Sequence, residues 1–449
     1  MARTTGNDTV RDLQRVLYRA AKADPARRFH ALYDKVHRRD VLERAWDQVR
    51  RNRGAHGIDQ ITIAQLEQQD VDLLLDELAR DLKDGTYRPL PARRVFIPKP
   101  GRPGERRPLS IPTVRDRIVQ AALKIVIEPI FEAGFLPCSF GFRPKKAAHD
   151  ALQVILDEDR SGRRWVVETD IASCFEAIPH AGLMSAIEKR ISDRHVLKLL
   201  RALLRAGVME DGNVRRPVTG TPQGGVISPL LANVYLDRLD REWQARGQGV
   251  LCRYCDDLVV MCQSEWQARR ALATLREILT ELGLAPKEAK TAITHLRTGG
   301  GGFDFLGFQH RSVRARNPRF RHVRFLARWP SRQAMQHARD RIRELTRRSR
   351  LLLPVEQVVR EVNAFLRGWA GYFRYGMSYR QFEQIRDYAL TRLALLVGHR
   401  RQGSRGHGWQ VIAYQSADRL GLISLRGYVV SPRPLRSWRG PNAGGEGRR

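Results

Sequence analysis

The stretch Arg253-Tyr254-Cys255-Asp256-Asp257-Leu258-Val259-Val260 places two adjacent carboxylates between two apolar runs. The first run begins at Val250 and the second continues to Met261, a pattern that predicts two strands joined by a tight turn. The turn would hold both acids at its tip. Because adjacent like charges repel each other unless a cation compensates them, a bound divalent metal ion is one explanation. A polar hairpin tip at a solvated sheet edge is the other.

A third carboxylate stands in a similar setting upstream. The segment Trp165-Val166-Val167-Glu168-Thr169-Asp170-Ile171 has the pattern of a short apolar strand that ends in an acid. This strand could lie beside the hairpin that carries Asp256 and Asp257. An acid from one strand and two from a neighbouring turn supply the oxygen ligands of two-metal phosphoryl transfer, in which the metal ions are about 4 Å apart. The arrangement therefore favours a nucleotidyl transferase.

A glycine-rich turn, Gly220-Thr221-Pro222-Gln223-Gly224-Gly225, lies between the two acidic elements. Its glycines would let the backbone approach a ligand closely, and the Gln223 side chain offers both a hydrogen-bond donor and an acceptor. Ser228 and Pro229 then predict a helix start, with the serine as N-cap and the proline at the first helical position. Such a turn before a helix is also common for structural reasons alone.

Together these elements resemble the palm of a reverse transcriptase. The matching residues are Asp170, Phe175 five positions later, Pro222-Gln223-Gly224 and Tyr254-Cys255-Asp256-Asp257. The longer strings at 221–237 and 253–260 resemble the group II intron reverse transcriptase/maturases in particular. The usual motif has alanine where Cys255 stands, and this change between small residues should leave metal binding intact.

The resemblance implies an RNA-directed DNA polymerase that holds two Mg²⁺ ions on Asp170, Asp256 and Asp257, with the Ile171 carbonyl as a further ligand. The metal ions would activate the primer 3′-hydroxyl and stabilise charge on the leaving pyrophosphate. Phe175 would lie under the sugar of the incoming dNTP, where its ring would collide with a 2′-hydroxyl. The enzyme is therefore expected to select deoxynucleotides.

Further nucleotide contacts are implied for the Gln223 amide and for a basic hairpin at 95–112. That segment has the pattern of two strands around a polar turn that carries Arg102 and Arg106. In reverse transcriptases a basic residue on this hairpin contacts the incoming triphosphate, and Arg107 and Lys99 occupy the matching positions. A guanidinium suits phosphate because it donates two parallel hydrogen bonds.

The composition points to a polyanionic partner. The 449 residues include 80 lysines and arginines against 48 acids, which gives a formal net charge of +32. Such an excess favours nucleic acid, with binding that weakens steeply as salt rises. No apolar run is long enough for a membrane span, and the N-terminus lacks the apolar centre of a signal peptide, so a cytoplasmic protein is expected. The five cysteines are interpreted as small buried hydrophobic residues.

The predicted fold is α+β: right-hand polymerase fingers and palm with an antiparallel palm sheet, followed by an α-helical thumb, the maturase or X domain. Residues 1–75 would form an N-terminal extension and residues 76–310 the fingers and palm. The thumb would span 311–400, and 401–449 would be a basic C-terminal segment. The extension contains a basic loop in which Arg51 and Arg53 are expected to contact RNA, although it could be a surface turn only.

The thumb segment carries two further signals for RNA binding. Fourteen arginines lie between 311 and 350 against two acids, a density that like-charge repulsion disfavours without a polyanion nearby. Beyond them, the string at 365–373 resembles the maturase domain. Arg360, Arg367 and Arg374 recur every seven residues on one helix face and are expected to contact phosphates. In the fingers, Arg143 of a Ser-Phe-Gly-Phe-Arg-Pro motif at 139–144 is expected to contact the template, or to belong to a packing loop.

The last fifty residues are rich in glycine and arginine. A segment for DNA binding would lie at about 400–432, and the tail from about Arg433 is expected to be disordered. Family members often end in a zinc-supported HNH endonuclease. No cysteine follows Cys262, so this module is expected to be lacking.

The expected partners are group II intron RNA, target DNA, a DNA primer and dNTPs, with no membrane. The protein would assist splicing of its intron and copy the intron during retrohoming. Two alternatives remain open at this point: a free-standing host reverse transcriptase for defence or repair, and a catalytically dead RNA-binding splicing cofactor. The sequence does not indicate an oligomeric state.

Overall fold

The computed structural model describes residues 6–101, 104–210, 213–215, 219–221, 224–297, 300–315, 318–320, 322–400 and 421–430. The expectations placed on Arg102, on Gln223 and on most of 401–449 therefore lie outside the described residues. None of the helices in the described ranges is long and apolar enough to cross a membrane.

The first third of the chain is helical. A long helix, α6, lies at its centre with residues such as Ile118 and Val119 fully buried, because α1 and α3 pack against it. Its hydroxyl N-cap, Thr113, accepts a hydrogen bond from the Asp116 amide. The helices are α1 (Gly6–Ala23), α2 (Tyr33–Val36), α3 (Arg39–Arg51), α4 (Ile63–Gln68), α5 (Val71–Lys83) and α6 (Val114–Glu132).

Helices in the rest of the described residues cover the sheets and form the C-terminal part. They are α7 (Ala148–Arg160), α8 (Cys174–Ala177), α9 (His180–Glu188), α10 (Arg194–Arg205), α11 (Ser228–Arg246), α12 (Glu265–Glu281), α13 (Arg332–Leu345), α14 (Val355–Phe373) and α15 (Tyr379–Arg400). Helix α11 begins at Ser228 with Pro229 as its second residue, one position from the predicted start.

The strands form three sheets, in the orders β2-β1-β4-β5, β6-β7-β3-β8 and β11-β10-β9. They are β1 (Ala92–Pro98), β2 (Arg106–Ile111), β3 (Trp165–Asp170), β4 (Val208–Glu210), β5 (Asn213–Arg215), β6 (Val250–Tyr254), β7 (Asp257–Cys262), β8 (Ala292–His295), β9 (Phe303–Phe305), β10 (Phe308–Arg314) and β11 (Arg324–Pro330). The predicted basic hairpin is present as β1 and β2, which pair antiparallel.

The second sheet is the palm, and all of its pairings are antiparallel. Strands β6 and β7 form the predicted hairpin, and β3 lies directly beside β7. Strand β7 is buried from Leu258 to Cys262 because helices cover both faces of the sheet: α11 and α12 on one, α7 and the C-terminal helices on the other. The predicted α+β class with an antiparallel palm is confirmed.

The segment expected to form the thumb, 311–400, begins with strand: 308–314 and 324–330 pair as the antiparallel strands β10 and β11, and its α-helices begin at Arg332. Apolar faces of α13, α14 and α15 then pack together. The segment 421–430 returns to this bundle: the Asn363 amide donates to the Gly421 carbonyl, and its oxygen accepts from the Ile423 amide at 2.9 Å. Leu422 and Leu425 are buried there.

A fully buried ion pair lies behind the palm hairpin. Arg253 of β6 and Asp240 of α11 have no exposed side-chain surface, and two nitrogen–oxygen contacts of 2.7 and 2.5 Å join them. The remaining guanidinium hydrogens are donated to the Asn233 amide oxygen, the Ser139 hydroxyl and the Cys255 carbonyl. The partners of this cation therefore come from α11, from the loop at Ser139 and from the turn that follows β6.

A second buried ionisable group, His310 of β10, is in an apolar setting. Its ring stacks on Phe303, with 4.9 Å between ring centroids, and neither ring nitrogen has a hydrogen-bond partner among the described residues. Burial, and then the charge of neighbouring Arg328, lowers the pKa of His310 to about 3. The imidazole is therefore neutral in the folded protein at neutral pH.

Replacing Arg253 should cost much of the protein's stability. Arg253→Met leaves the Asp240 carboxylate buried without its partner, so we expect the free energy of unfolding to fall by about 3–5 kcal/mol in urea titrations. Arg269→Met, which breaks the exposed pair of Arg269 with Glu265, should cost less than about 1 kcal/mol. Arg253→Met/Asp240→Leu should regain part of the loss. Equal small losses in both single variants would contradict this account.

The stability of the protein should fall with acid partly through His310. The pKa of His310 in the folded protein lies below the unfolded value of about 6.5. Between these two pKa values the imidazole is protonated in the unfolded chain but neutral in the folded protein. Between pH 6.5 and 3 this should remove about 1.4 kcal/mol per pH unit. Urea titrations at pH 7.5, 6 and 5 should show a shallower decline for His310→Leu than for the wild type. Parallel declines would rule this role out.

Candidate active site

Three aspartates meet where the palm strands end. Asp170 is the last residue of β3 and Asp257 the first of β7, and the two are directly opposite in the antiparallel register. Cys255 and Asp256 form the two-residue turn between β6 and β7, and Cys255 has a positive φ of 58°. Two-residue hairpin turns require positive φ because this matches the twist of the strands. The structure thus brings all three predicted acids together.

Gly141 packs against this turn on the side away from the cavity. A Cβ atom added to Gly141 would be 2.6 Å from the Cys255 amide nitrogen, so only glycine permits the close approach. The Phe140 amide donates to the Arg253 carbonyl at 2.9 Å, which fixes the same loop on β6. The motif at 139–144 therefore supports the turn that carries Cys255 and Asp256.

The three acids differ in the direction of their pKa shifts. Burial, and then a hydrogen bond and the charge of Asp170, raises the pKa of Asp257 to about 9, and burial also raises the pKa of Asp256. Burial acts in the same direction on Asp170, but hydrogen bonds from Asp257 and Lys290 outweigh it and lower the pKa of Asp170. The Lys290 ammonium forms an ion pair with Asp170.

The donor atoms fit a hard divalent cation. They are three carboxylates together with the backbone at Ile171, all of which line one cavity, and oxygen ligands favour Mg²⁺ or Mn²⁺ over softer metals. Within the described residues, no three acid, histidine or cysteine side chains form a ready-made cage. The Lys290 ammonium, which pairs with Asp170, lies beside the same carboxylates.

The cavity in front of the acids has a volume of about 430 Å³. Phe175 lines it on the side of the aspartates, and Lys99 and Arg107 of the β1–β2 hairpin line it from the fingers. These predicted nucleotide residues thus share one cavity with the acids, whereas Gln223 lies outside the described residues. Lys99 pairs with Glu105 across its own hairpin at 2.9 Å.

Three cations of this cavity were not predicted as nucleotide contacts: Arg106, Lys287 and Lys290. The Lys287 amide donates to the Asp170 carbonyl at 2.7 Å, which fixes the loop beside the acids. Both lysines are far from the three acids in sequence, so only the fold brings them to the site. The Arg253–Asp240 pair was also missed, and the signal there was a charged residue inside an apolar strand.

A second cavity, of about 670 Å³, lies on the other side of Asp170 and Asp257. The turn at 303–307 and the start of α13 line it, together with Glu168, whose pKa burial and then Asp304 raise to about 7. Between the two cavities, the Gln333 side-chain amide of α13 donates to the Pro100 carbonyl of the fingers hairpin at 2.9 Å. The fingers and the C-terminal helices thus touch across the cleft.

The glycine-rich turn is fastened to its neighbours. The Gly220 amide donates to the Ile178 carbonyl and the Thr221 amide to the Phe175 carbonyl, which ties the turn to α8. Gly224 has a φ of 113°, and a Cβ atom there would be 2.6 Å from the Ser110 carbonyl oxygen of β2. The glycines of this turn were expected to let a ligand approach closely. In the structure, backbone atoms of the protein itself approach Gly220 and Gly224.

Most of the expected RNA contacts are accessible. Arg51, Arg53, Arg360 and Arg367 are exposed, and Arg374 is half-buried with its guanidinium 5.5 Å from the centre of the Tyr375 ring. Arg53 has a positive φ of 43° in a loop whose next carbonyls accept hydrogen bonds from the fingers: Ala55 from Arg117, and His56 from Arg93. A rigid loop therefore presents Arg53 to solvent.

Arg143 differs from its predicted role as a template contact. Its side chain is 5% exposed and forms an ion pair with Glu132 at 2.8 Å. The same guanidinium donates to the carbonyls of Leu136 and Ser139 at 2.6 and 2.8 Å. Its donors are used inside the protein, so the alternative expectation of a packing loop describes Arg143 better.

Comparisons with known proteins agree with this geometry. Residues 97–310 match the family model described as "Reverse transcriptase (RNA-dependent DNA polymerase)", and residues 335–413 match the model described as "Group II intron, maturase-specific domain". Reverse transcriptases generally use divalent metal ions, which agrees with the oxygen donors at the three aspartates.

One similar curated protein is matched over nearly its whole length. "Protein YkfC" of Escherichia coli (strain K12) is 33% identical over 372 residues, which are 73% of this chain and 94% of that protein. "Group II intron-encoded protein LtrA" of Lactococcus lactis subsp. cremoris is 39% identical over 215 residues, 47% of this chain and 35% of LtrA. "Nuclear intron maturase 2, mitochondrial" of Arabidopsis thaliana is 29% identical over 167 residues, 28% of this chain and 23% of that protein.

The match thus spans about a third of LtrA and nearly all of YkfC. Both family models occur in the order that the sequence predicted, the polymerase first and the maturase domain second. The predicted reverse transcriptase and splicing functions are confirmed at the level of the family. The chain belongs to the group II intron reverse transcriptase/maturase family.

Proposed function

We propose that this chain synthesises DNA on an RNA template with two Mg²⁺ ions held by Asp170, Asp256, Asp257 and the Ile171 carbonyl. The observation that carries the proposal is the shared cavity, with these acids on one wall and Lys99 and Arg107 on the other. When bound, Mg²⁺ would lower the pKa of the primer 3′-hydroxyl and stabilise charge on the leaving pyrophosphate.

The protein's own side chains bind and orient the nucleotide. Lys99, Arg106 and Arg107 contact the triphosphate of the incoming dNTP from the fingers, and Lys287 and Lys290 face it from the palm. Lys290, which pairs with Asp170, would give up this carboxylate to a bound metal ion. Phe175 lies against the sugar, and Gln223 contacts the nucleotide. The cavity of about 670 Å³ on the other side of Asp170 receives the primer end.

The same proposal assigns the remaining surfaces to nucleic acid. Residues 1–75 form the N-terminal extension, 76–310 the fingers and palm, 311–400 the thumb and 401–449 a basic segment. Arg51, Arg53, Arg360, Arg367 and Arg374 bind intron RNA through its phosphates. Target DNA supplies the primer during retrohoming. A cytoplasmic location goes with this proposal because intron RNA and dNTPs are present there, and no membrane is involved.

Removal of one acid should separate the two functions. Asp256→Ala should lower primer extension on poly(rA)/oligo(dT) with Mg²⁺ by at least about a thousandfold, since a metal ligand is lost. Binding and splicing of the intron RNA should stay near the wild-type level, because they depend on distant basic surfaces. Glu277→Ala, at an exposed acid of α12, serves as the control and should leave both activities unchanged.

Two results would oppose that assignment. Wild-type levels of extension by Asp256→Ala would remove the residue from the active site. Joint loss of extension and splicing in a folded Asp256→Ala protein would contradict the division of labour between the palm and the basic surfaces.

Phe175 should control the choice of sugar. Phe175→Ala removes the ring beside the nucleotide, so we expect the ratio of kcat/KM for dTTP over UTP to fall by about tenfold or more. Steady-state incorporation on the same template measures both substrates. Trp266→Ala, at an exposed ring on α12, is the control and should keep the wild-type ratio. Unchanged selectivity in Phe175→Ala would exclude the residue as the sugar filter.

A further inference from the structure

Helix α10 presents a row of cations to solvent. Arg194, Lys198, Arg201 and Arg205 are spaced four, three and four residues apart, which places them on one face over about 16 Å of helix. The opposite face, with Leu200 and neighbouring apolar residues, is buried in the core. We call these four cations the α10 rail. Among the described residues, no acid forms an ion pair with Arg194, Lys198 or Arg205.

The acids beside the rail are already engaged. Glu188 forms an ion pair with Arg201. Asp193, the N-cap of α10, accepts hydrogen bonds from four backbone amides, those of His195 and Val196 in the helix and those of Leu32 and Tyr33 in the N-terminal region. Neither carboxylate is available to neutralise the other three cations of the rail. The surface therefore stays strongly positive.

A cleft of about 1040 Å³ opens along the same helix. Apolar residues line part of it, among them Pro89, Met184 and Leu204, and we call this part the floor. Arg88 and two members of the rail, Arg201 and Arg205, line it as well, and so does Glu188, the ion-pair partner of Arg201. None of the residues that line this cleft lines either of the two cavities at Asp170. The cleft is therefore separate from the candidate active site.

We propose that the α10 rail and this cleft bind single-stranded RNA outside the polymerase cleft. The apolar floor would accept an unstacked base, whereas Arg88 and the rail would bind the phosphates on either side of it. This combination suits a single strand, because the bases of a duplex stay stacked inside and leave an apolar floor unused. The proposal rests on the proposed function only in the choice of RNA as the nucleic acid.

A membrane surface or an acidic protein segment would also meet a basic rail. A membrane is disfavoured because α10 buries its apolar face in the protein core and leaves none for lipid. An acidic protein segment would meet the rail but has no planar base for the cleft floor. The single-stranded nucleic acid uses both the charge and the apolar floor, so it fits the whole site.

The test uses the full chain carrying one equivalent of an RNA-template/DNA-primer hairpin, which fills the polymerase cleft. A fluorescent 12-nucleotide single-stranded RNA and the matching RNA duplex are then titrated at several KCl concentrations. The rail variant is Lys198→Glu/Arg205→Glu. Arg269→Glu/Arg270→Glu on α12 is the control, because it makes the same change in net charge on another exposed helix face. Ala202→Trp fills the cleft without changing the charge.

We expect the rail variant to bind the single strand about tenfold more weakly at 0.1 M KCl, with a salt dependence shallower by about 1.4 for two lost phosphate contacts. The α12 control should stay within about twofold of the wild type. Ala202→Trp should weaken binding of the single strand but not of the duplex, and it should leave the salt dependence unchanged. Melting temperatures of all variants are measured beside the wild type to confirm that they are folded.

Primer extension on the bound hairpin, measured in the same samples, separates this proposal from the proposed function. Retained extension with lost single-strand binding would support a separate site. Absence of extension in the wild type would count against the proposed polymerase and would leave the binding comparison readable. Equal losses in the rail variant and in the α12 control would overturn the proposal, and so would wild-type affinity in both the rail variant and Ala202→Trp.

Discussion

The palm depends on one buried ion pair, between Arg253 and Asp240. Removing both charges from water carries a large desolvation cost, which close contact between them and complete hydrogen bonding of the guanidinium offset. The partners come from α11, from the loop at 139–141 and from the catalytic turn itself. Because the Cys255 carbonyl is one of the acceptors, the same pair that joins these elements also sets the position of the two acids beside it.

On the other side of that turn, charge is balanced differently. Asp170, Asp256 and Asp257 face a cavity, where the Lys290 ammonium pairs with Asp170. Lys290 is partly exposed, whereas the guanidinium of Arg253 is fully buried and fixed by its surroundings. The negative charge behind the hairpin is thus neutralised by a buried arginine, and negative charge in front of it by a partly exposed lysine. A partly exposed ammonium can be displaced, which suits a site that binds metal ions and phosphates.

The sequence predicted the parts of the site that depend on local pattern. Apolar runs on either side of Asp256 and Asp257, and a strand that ends at Asp170, were enough to place the three acids together. What was missed depends on tertiary partners. Arg143 was expected to contact the template or to belong to a packing loop, and only the position of Glu132 in the fold decides for the second. The strands at 308–314 and 324–330 lie in a segment for which the sequence indicated only a high density of arginine. The close approach of Gly224 to Ser110 joins residues more than a hundred positions apart.

The hydrogen bond from Gln333 to Pro100 has a mechanical consequence. It joins the fingers hairpin to the first turn of α13, so the cleft is bordered by a closed ring of protein when no substrate is present. One neutral hydrogen bond contributes about 1 kcal/mol, which corresponds to a population ratio of about five. Thermal motion alone therefore opens such a ring often. A closure that depends on so weak a bond lets the fingers hairpin and α13 separate before a template lies between them.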